Sequence, residues 1–251
     1  MDDTPLPLTA HLAELRSRLA KALLAWAVGT GAAWGFKEEI FGFLLRPALA
    51  ALGSDHGQLQ AIAPTEIFIT FFKSAVLAGF VLALPVTFWQ LWAFVAPGLY
   101  PREKRVALPF VLVSTGLFLV GCAFGHSIVF PLMFGFFAQF ESDFVVSAWT
   151  MREVFGLTTQ LFLAFGVAFE LPVVVFFLAV AGIVTPRQLL GWSGYAVLMA
   201  FVLGAILTPP DVLSQVFLAV PLLGLYFVGV GAAWLAGGRR KRAAARDLQT
   251  Q

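Results

Sequence analysis

Few residues in this chain are equipped for chemistry, and they fall into separate groups. Glu14 lies in His11-Leu12-Ala13-Glu14-Leu15-Arg16-Ser17-Arg18-Leu19, and Glu103 lies between Arg102 and Lys104-Arg105. Carboxylates of this kind suit planar guanidinium forks, which they hold in bidentate geometry. Glu170 is a single acid inside a long apolar stretch, and Thr208-Pro209-Pro210-Asp211 ends another. Gly191-Trp192-Ser193-Gly194 resembles the serine motif of an intramembrane protease, but a serine nucleophile needs a base, and no histidine follows Ser193. The histidines are scattered at His11, His56 and His126 and Cys122 is the sole cysteine, so neither a metal centre nor an intrachain disulfide has a framework.

The elements that position these groups must be membrane helices. Hydrophobic residues make up 60% of the 251 residues and charged ones 12%, with 27 Phe and 7 Trp, more apolar surface than a soluble domain of this length can hide. Charge-free runs approach the ~20 residues that a helix needs to cross ~30 Å of hydrocarbon. They predict an all-α polytopic membrane protein with six spans near 18–36, 69–95, 107–136, 153–181, 192–207 and 212–236. No polar alternation supports a strand barrel. Pro85, Pro131, Pro172 and Pro221 fall inside these spans, and each removes a backbone donor. Bent helices forming a concave wall are therefore expected, with a fifth span of only ~24 Å that thins the bilayer or sits askew.

Of the 16 Lys and Arg, twelve fall on one side of this arrangement: Arg16, Arg18, Lys21, Arg102, Lys104, Arg105, Arg187, Arg239, Arg240, Lys241, Arg242 and Arg246. Lys37, Arg46, Lys73 and Arg152 fall on the other, so both termini are expected in the cytoplasm. A single membrane domain over 1–251 follows. It comprises a cytoplasmic N-terminal segment (1–17), external loops at 37–68 and 137–152, cytoplasmic loops at 96–106 and 182–191, and a basic cytoplasmic tail (237–251). The N-terminus reads as an uncleaved anchor, because Asp2, Asp3, Pro5 and Pro7 precede any apolar stretch. Gly53-Ser54-Asp55 marks a turn, and Ile40 to Leu45 is too short to span and is expected at the interface or against the bundle. This topology also places Ser193 and His126 toward opposite faces, which removes the remaining base for Ser193.

Several residues admit two readings on sequence alone. Glu14 precedes Arg18 by four residues, the spacing of an ordinary helical ion pair. Glu103 fits a solvated loop whose basic neighbours set topology. Glu170 is either a protonated carboxyl bonded to a neighbouring helix or a polar group on the concave face, since an ionised acid at mid-bilayer costs ~2.5 to 3.5 kcal/mol. Thr208, with proline next and Asp211 third, spells a capping box that would start the last span. Arg239 to Arg242 form a membrane-surface anchor.

Four blocks, in order, give the chain a resemblance. His11 to Leu19 is similar to the HLxELRxRL signature of the TatC family of twin-arginine protein translocase receptors. Trp92-Ala93-Phe94-Val95-Ala96-Pro97-Gly98-Leu99-Tyr100 with Glu103, Ala164 to Pro172 around Glu170, and Leu207 to Val212 resemble further family blocks. The resemblance implies a receptor, not an enzyme, that binds twin-arginine signal peptides of folded proteins through Glu14, Arg16, Phe94 and Glu103. It implies export driven by the proton motive force with single-span TatA/TatB-type subunits, whose helices contact Thr208, Asp211 and Gln215. It further implies a homo-oligomeric assembly in a bacterial-type cytoplasmic (inner) membrane in contact with lipid, with no cofactor, no metal and no nucleic acid. A proton-coupled small-solute transporter using Glu170 as its intramembrane polar site is the alternative, weakened by the lack of a repeat-related second acid.

Overall fold

The computed structural model describes residues 8–53, 58–95, 107–140, 148–208 and 211–249. They are nearly all helical: α1 (Leu8–Ala33), α2 (Lys37–Ala51), α3 (Pro64–Val95), α4 (Ala107–Phe124), α5 (Phe130–Ala138), α6 (Met151–Ala168), α7 (Leu171–Ala181), α8 (Pro186–Gly191), α9 (Ser193–Leu207) and α10 (Val212–Gln249). Among the described residues, His11–Ala51, Pro64–Phe94, Leu108–Ala138, Met151–Ala181 and Val212–Leu235 are long and apolar enough to cross a bilayer. Ser193–Leu207 is a shorter apolar helix, about 22 Å long at its 15 residues. A helix thus covers each of the six expected segments, and the short fifth is short in the structure as well.

The first segment differs from expectation at both ends. Helix α1 begins at Leu8, ahead of the expected start at 18, and Ile40 to Leu45 belong to α2, joined to α1 by the tight 3-10 turn Trp34–Phe36. Glu38 and Glu39 in the first turn of α2 complement its dipole, which favours helix where apolar spacing alone suggested a short interfacial piece. The four expected proline bends divide into two kinds. Pro85 and Pro221 lie within continuous helices, whereas Pro131 and Pro172 each open a new helix. Before Pro131 the chain makes a π turn, Gly125–Val129, in which the Phe130 N–H reaches back to the Gly125 carbonyl. This wider turn is one of the usual ways a long helix absorbs a break.

The chain divides into two compact units. In the first (Met1–Phe43 and Ala61–Gly116), α1 packs along α3. The contact is backbone against backbone: a Cβ on Gly29 would meet the Gly79 carbonyl at 2.7 Å, and one on Gly79 would overlap the backbone of Thr30. The Trp26 indole N–H donates to the Val76 carbonyl at 2.8 Å, and its ring meets Phe80 edge-on. The buried Trp92 donates to Ser114 Oγ at 3.2 Å and packs on Phe110, tying the end of α3 to α4.

In the second unit (Leu44–Gln60 and Leu117–Gln251), α10 packs against α7 and α9. Phe118, Phe130, Phe165 and Leu218 are among its fully buried side chains. Gly182, at φ 78°, ends α7 in the left-handed region, with the Ile183 N–H returned to the Leu178 carbonyl at 2.9 Å. Thr185 then starts α8 with a capping box to Gln188 and Pro186 at its first position. An isolated parallel bridge joins Gln60 to Thr150, with Gln60 N–H donating to Trp149 and Met151 N–H to Gln60.

Candidate functional site: the paired ends of α1 and α3

The α1–α3 contact in the first unit fixes where the early residues of α1 lie. Its small-residue seam brings the helix axes close, so the N-terminal turns of α1 run beside the last turns of α3. There the His11 ring stacks on Phe94 at a centroid distance of 4.5 Å and an interplanar angle of 22°. Glu14 is one helical turn along from His11, half-buried, and Arg16 is exposed. Glu14 Oε1 accepts from Arg18 Nε at 2.8 Å and from its terminal nitrogen at 2.5 Å, the ion pair that the i,i+4 spacing allows. Glu14 therefore already pairs with one guanidinium, through a single carboxylate oxygen. Glu103, the other expected carboxylate, lies outside the described residues.

His11 was not singled out as a site residue from sequence, although it opens the first motif block. The motif position was legible in the sequence, whereas the partner ring was not. An aromatic ring at the end of α3 needs a flat partner, and a histidine three residues before the glutamate provides one on the same helix face.

Glu170 occupies the break between α6 and α7 in the second unit. The Phe169 N–H reaches the Phe165 carbonyl and the Glu170 N–H reaches that of Val167, each at 3.1 Å, so the helix tightens as it ends. Pro172 has no N–H for the Ala168 carbonyl, and α7 restarts with Val174 donating to the Glu170 carbonyl at 3.0 Å. A carboxyl and an interrupted backbone thus coincide in mid-segment, and the Glu170 side chain is half-buried.

The third group is held differently from the expectation. Thr208 does not start the last helix; it ends α9, its hydroxyl donating to the Gly204 carbonyl at 2.8 Å. Asp211 caps α10 instead, with Oδ1 accepting from the Ser214 N–H at 2.7 Å. Pro209 and Pro210, which follow Thr208, lie outside the described residues. Gln215 donates to the Phe201 carbonyl at 2.8 Å, and its Cγ sits where a Cβ on Gly204 would fall, at 2.9 Å. Gln215 thus joins α10 to α9, while Thr208 ends the one helix and Asp211 starts the other.

The chain resembles known proteins over most of its length. Residues 10–221 match the family model for the Sec-independent protein translocase protein (TatC). The chain belongs to the TatC family. It is 42% identical over 234 residues to the Sec-independent protein translocase protein TatC of Desulforapulum autotrophicum, covering 93% of this chain and 86% of that one. The TatC of Helicobacter pylori strain 26695 is 40% identical over 223 residues, covering 89% and 85%, and that of Aquifex aeolicus 37% identical over 238 residues, covering 94% and 98%. The crystal structure of a twin-arginine translocase receptor TatC superposes with a TM-score of 0.80 at 37% identity, covering 90% of this chain and 99% of that one. The protein is accordingly a multi-pass membrane component of a protein translocase, and these relatives displace the solute-transporter alternative.

Proposed function

We propose that this chain is the signal-peptide receptor of a twin-arginine translocase, and that the paired ends of α1 and α3 form the part of its surface that receives the arginines. The observation that carries the reading is the seating of His11 on Phe94 beside Glu14. It offers a carboxylate for a guanidinium and an aromatic step for the residues that follow. Glu103 supplies the second carboxylate from the loop after α3, and Arg16 orients the acids from the exposed side of α1.

The excess of basic residues in the alternate loops supports a cytoplasmic location for both termini in the bacterial inner membrane, which puts this surface where an unexported precursor arrives. Single-span TatA/TatB-type subunits meet the protein along the Thr208–Asp211–Gln215 edge, several copies assemble in the working complex, and the proton motive force drives export. Glu170 serves as a polar group within the membrane wall during that passage.

The test is binding of a synthetic twin-arginine signal peptide to the purified chain with Glu14→Gln, Glu103→Gln and both together. Loss of one charge-assisted pair of ~1.5 to 3 kcal/mol corresponds to about a ten- to hundredfold weaker complex. The double variant should bind no better than a peptide whose arginines are replaced by glutamine. Undiminished binding in the double variant would remove these residues from the site.

A further inference from the structure

The second unit contains an open pocket of about 550 Å³ where α5 ends, α6 begins and α9 ends, away from the groups already described except for Thr208 at its rim. One side is aromatic, made by Phe134, Phe137 and Trp149, with the Phe134 and Trp149 centroids 5.7 Å apart. Facing the pocket from the first turn of α6 is Glu153, and among the described residues its lining includes no Lys or Arg. Arg152 approaches Glu153 only to 4.0 Å with both side chains about four-fifths exposed, too loose a pair to occupy the carboxylate. Aromatic faces with an acid beside them are the usual means of holding an ammonium group.

Along α6 the lining runs on one helical face from Glu153 through Leu157 to Gln160, ~10 Å of helix over seven residues. At its far end the exposed Gln160 amide donates to the Ile206 carbonyl at 3.4 Å, a long, weak bond. Gly156 leaves the middle of this face open: a Cβ there would meet nothing within 4 Å. The polar end is fixed in place. Thr150 caps α6 by accepting the Glu153 N–H, and the Gln60 bridge holds the Trp149 backbone on one side and Met151 on the other.

A carboxylate with an aromatic wall beside it, in an otherwise largely apolar pocket, matches an amphiphile with a cationic head and an acyl chain. We propose that this pocket binds a phospholipid whose headgroup ends in an ammonium. Glu153 and Trp149 take the ammonium, and Phe134, Leu157 and Leu207 line the path of the chain.

The experiment is native mass spectrometry of the delipidated full chain, titrated with phosphatidylethanolamine, its N-acetylated form, phosphatidylglycerol of the same chains, and soluble glycerophosphoethanolamine. Phosphatidylethanolamine should bind at least tenfold more tightly than the acetylated or glycerol lipid, and Glu153→Gln should abolish that preference. Gly156→Leu, which fills the pocket without a clash, should lower occupancy by phosphatidylethanolamine while Glu153 remains in place. Equal affinity of the three lipids, or an unchanged preference in Glu153→Gln, would overturn the proposal. So would binding of the soluble headgroup as tightly as the lipid, since the apolar lining would then contribute nothing. A dimer that Glu153→Gln dissolves, with no lipid retained, would show that a second copy fills the pocket and would equally overturn it.

Discussion

The α1–α3 pair and the α9–α10 pair use polar residues in opposite ways. Between α9 and α10, Thr208, Asp211 and Gln215 each make a hydrogen bond that ends, starts or joins a helix. Between α1 and α3 the helices are joined by glycine contact and by Trp26, while among the described residues Glu14 pairs with Arg18 on its own helix. Removing a polar group from the first region should therefore cost little structure and from the second should cost some. On the proposed reading, a surface that exchanges partners keeps its carboxylate in an ion pair, which another guanidinium can replace. A hairpin that must keep its shape has its polar groups committed to the backbone.

The largest stability effect is expected at the glycine seam. Gly79→Ala should destabilise the protein by about 1 to 3 kcal/mol, because the added methyl overlaps backbone that cannot rotate away. Gly31→Ala, on the same helix pair with nothing within 4 Å, should be neutral or up to about 1 kcal/mol stabilising. Thermal unfolding in detergent, read for both variants, separates the seam from a general effect of glycine replacement. Equal melting shifts in the two would mean that close approach does not hold α1 to α3.

Next in size is Asp211→Ala, which removes the cap of α10 and should cost about 1 kcal/mol. Thr208→Val should cost no more than this, since its hydroxyl bonds a carbonyl at the end of α9 and does not start α10. If Thr208 were the helix start that the sequence suggests, the order would reverse. The smallest effect is expected at Glu14→Gln, whose i,i+4 pair contributes only about 0.2 to 0.5 kcal/mol and is partly solvated. A melting shift for Glu14→Gln as large as that for Asp211→Ala would erase the contrast between the two regions.

Hydrophobic length and proline placement carried much of the fold into view from the sequence. Bilayer-length runs located all six helical segments, and Glu170-Leu171-Pro172 located the α6–α7 break, because a missing N–H acts locally. The cap was misplaced by three residues at Thr208 because the pattern is local and the same stretch also offers Asp211, itself a good N-cap residue. The 3-10 link at Trp34–Phe36 was not legible either: two helices joined without a polar gap leave no punctuation in the charge pattern. At the candidate site, the i,i+4 pairing of Glu14 and Arg18 was readable from spacing. The stacking of His11 on Phe94 was not, since it depends on the register of α1 against α3, which Gly29 and Gly79 set through contacts about fifty residues apart in sequence.

The account rests most directly on where an arginine pair is received, and site-specific crosslinking measures that. A photoreactive residue introduced in turn at 16, 94, 211 and 215 should be combined with a labelled twin-arginine signal peptide and membranes containing the full chain. The expected result is strong adducts at 16 and 94 that disappear when the peptide's arginines are replaced by glutamine or when Glu14→Gln and Glu103→Gln are combined. Adducts at 16 and 94 that persist undiminished with the arginine-free peptide, or that form only at 211 and 215, would contradict it.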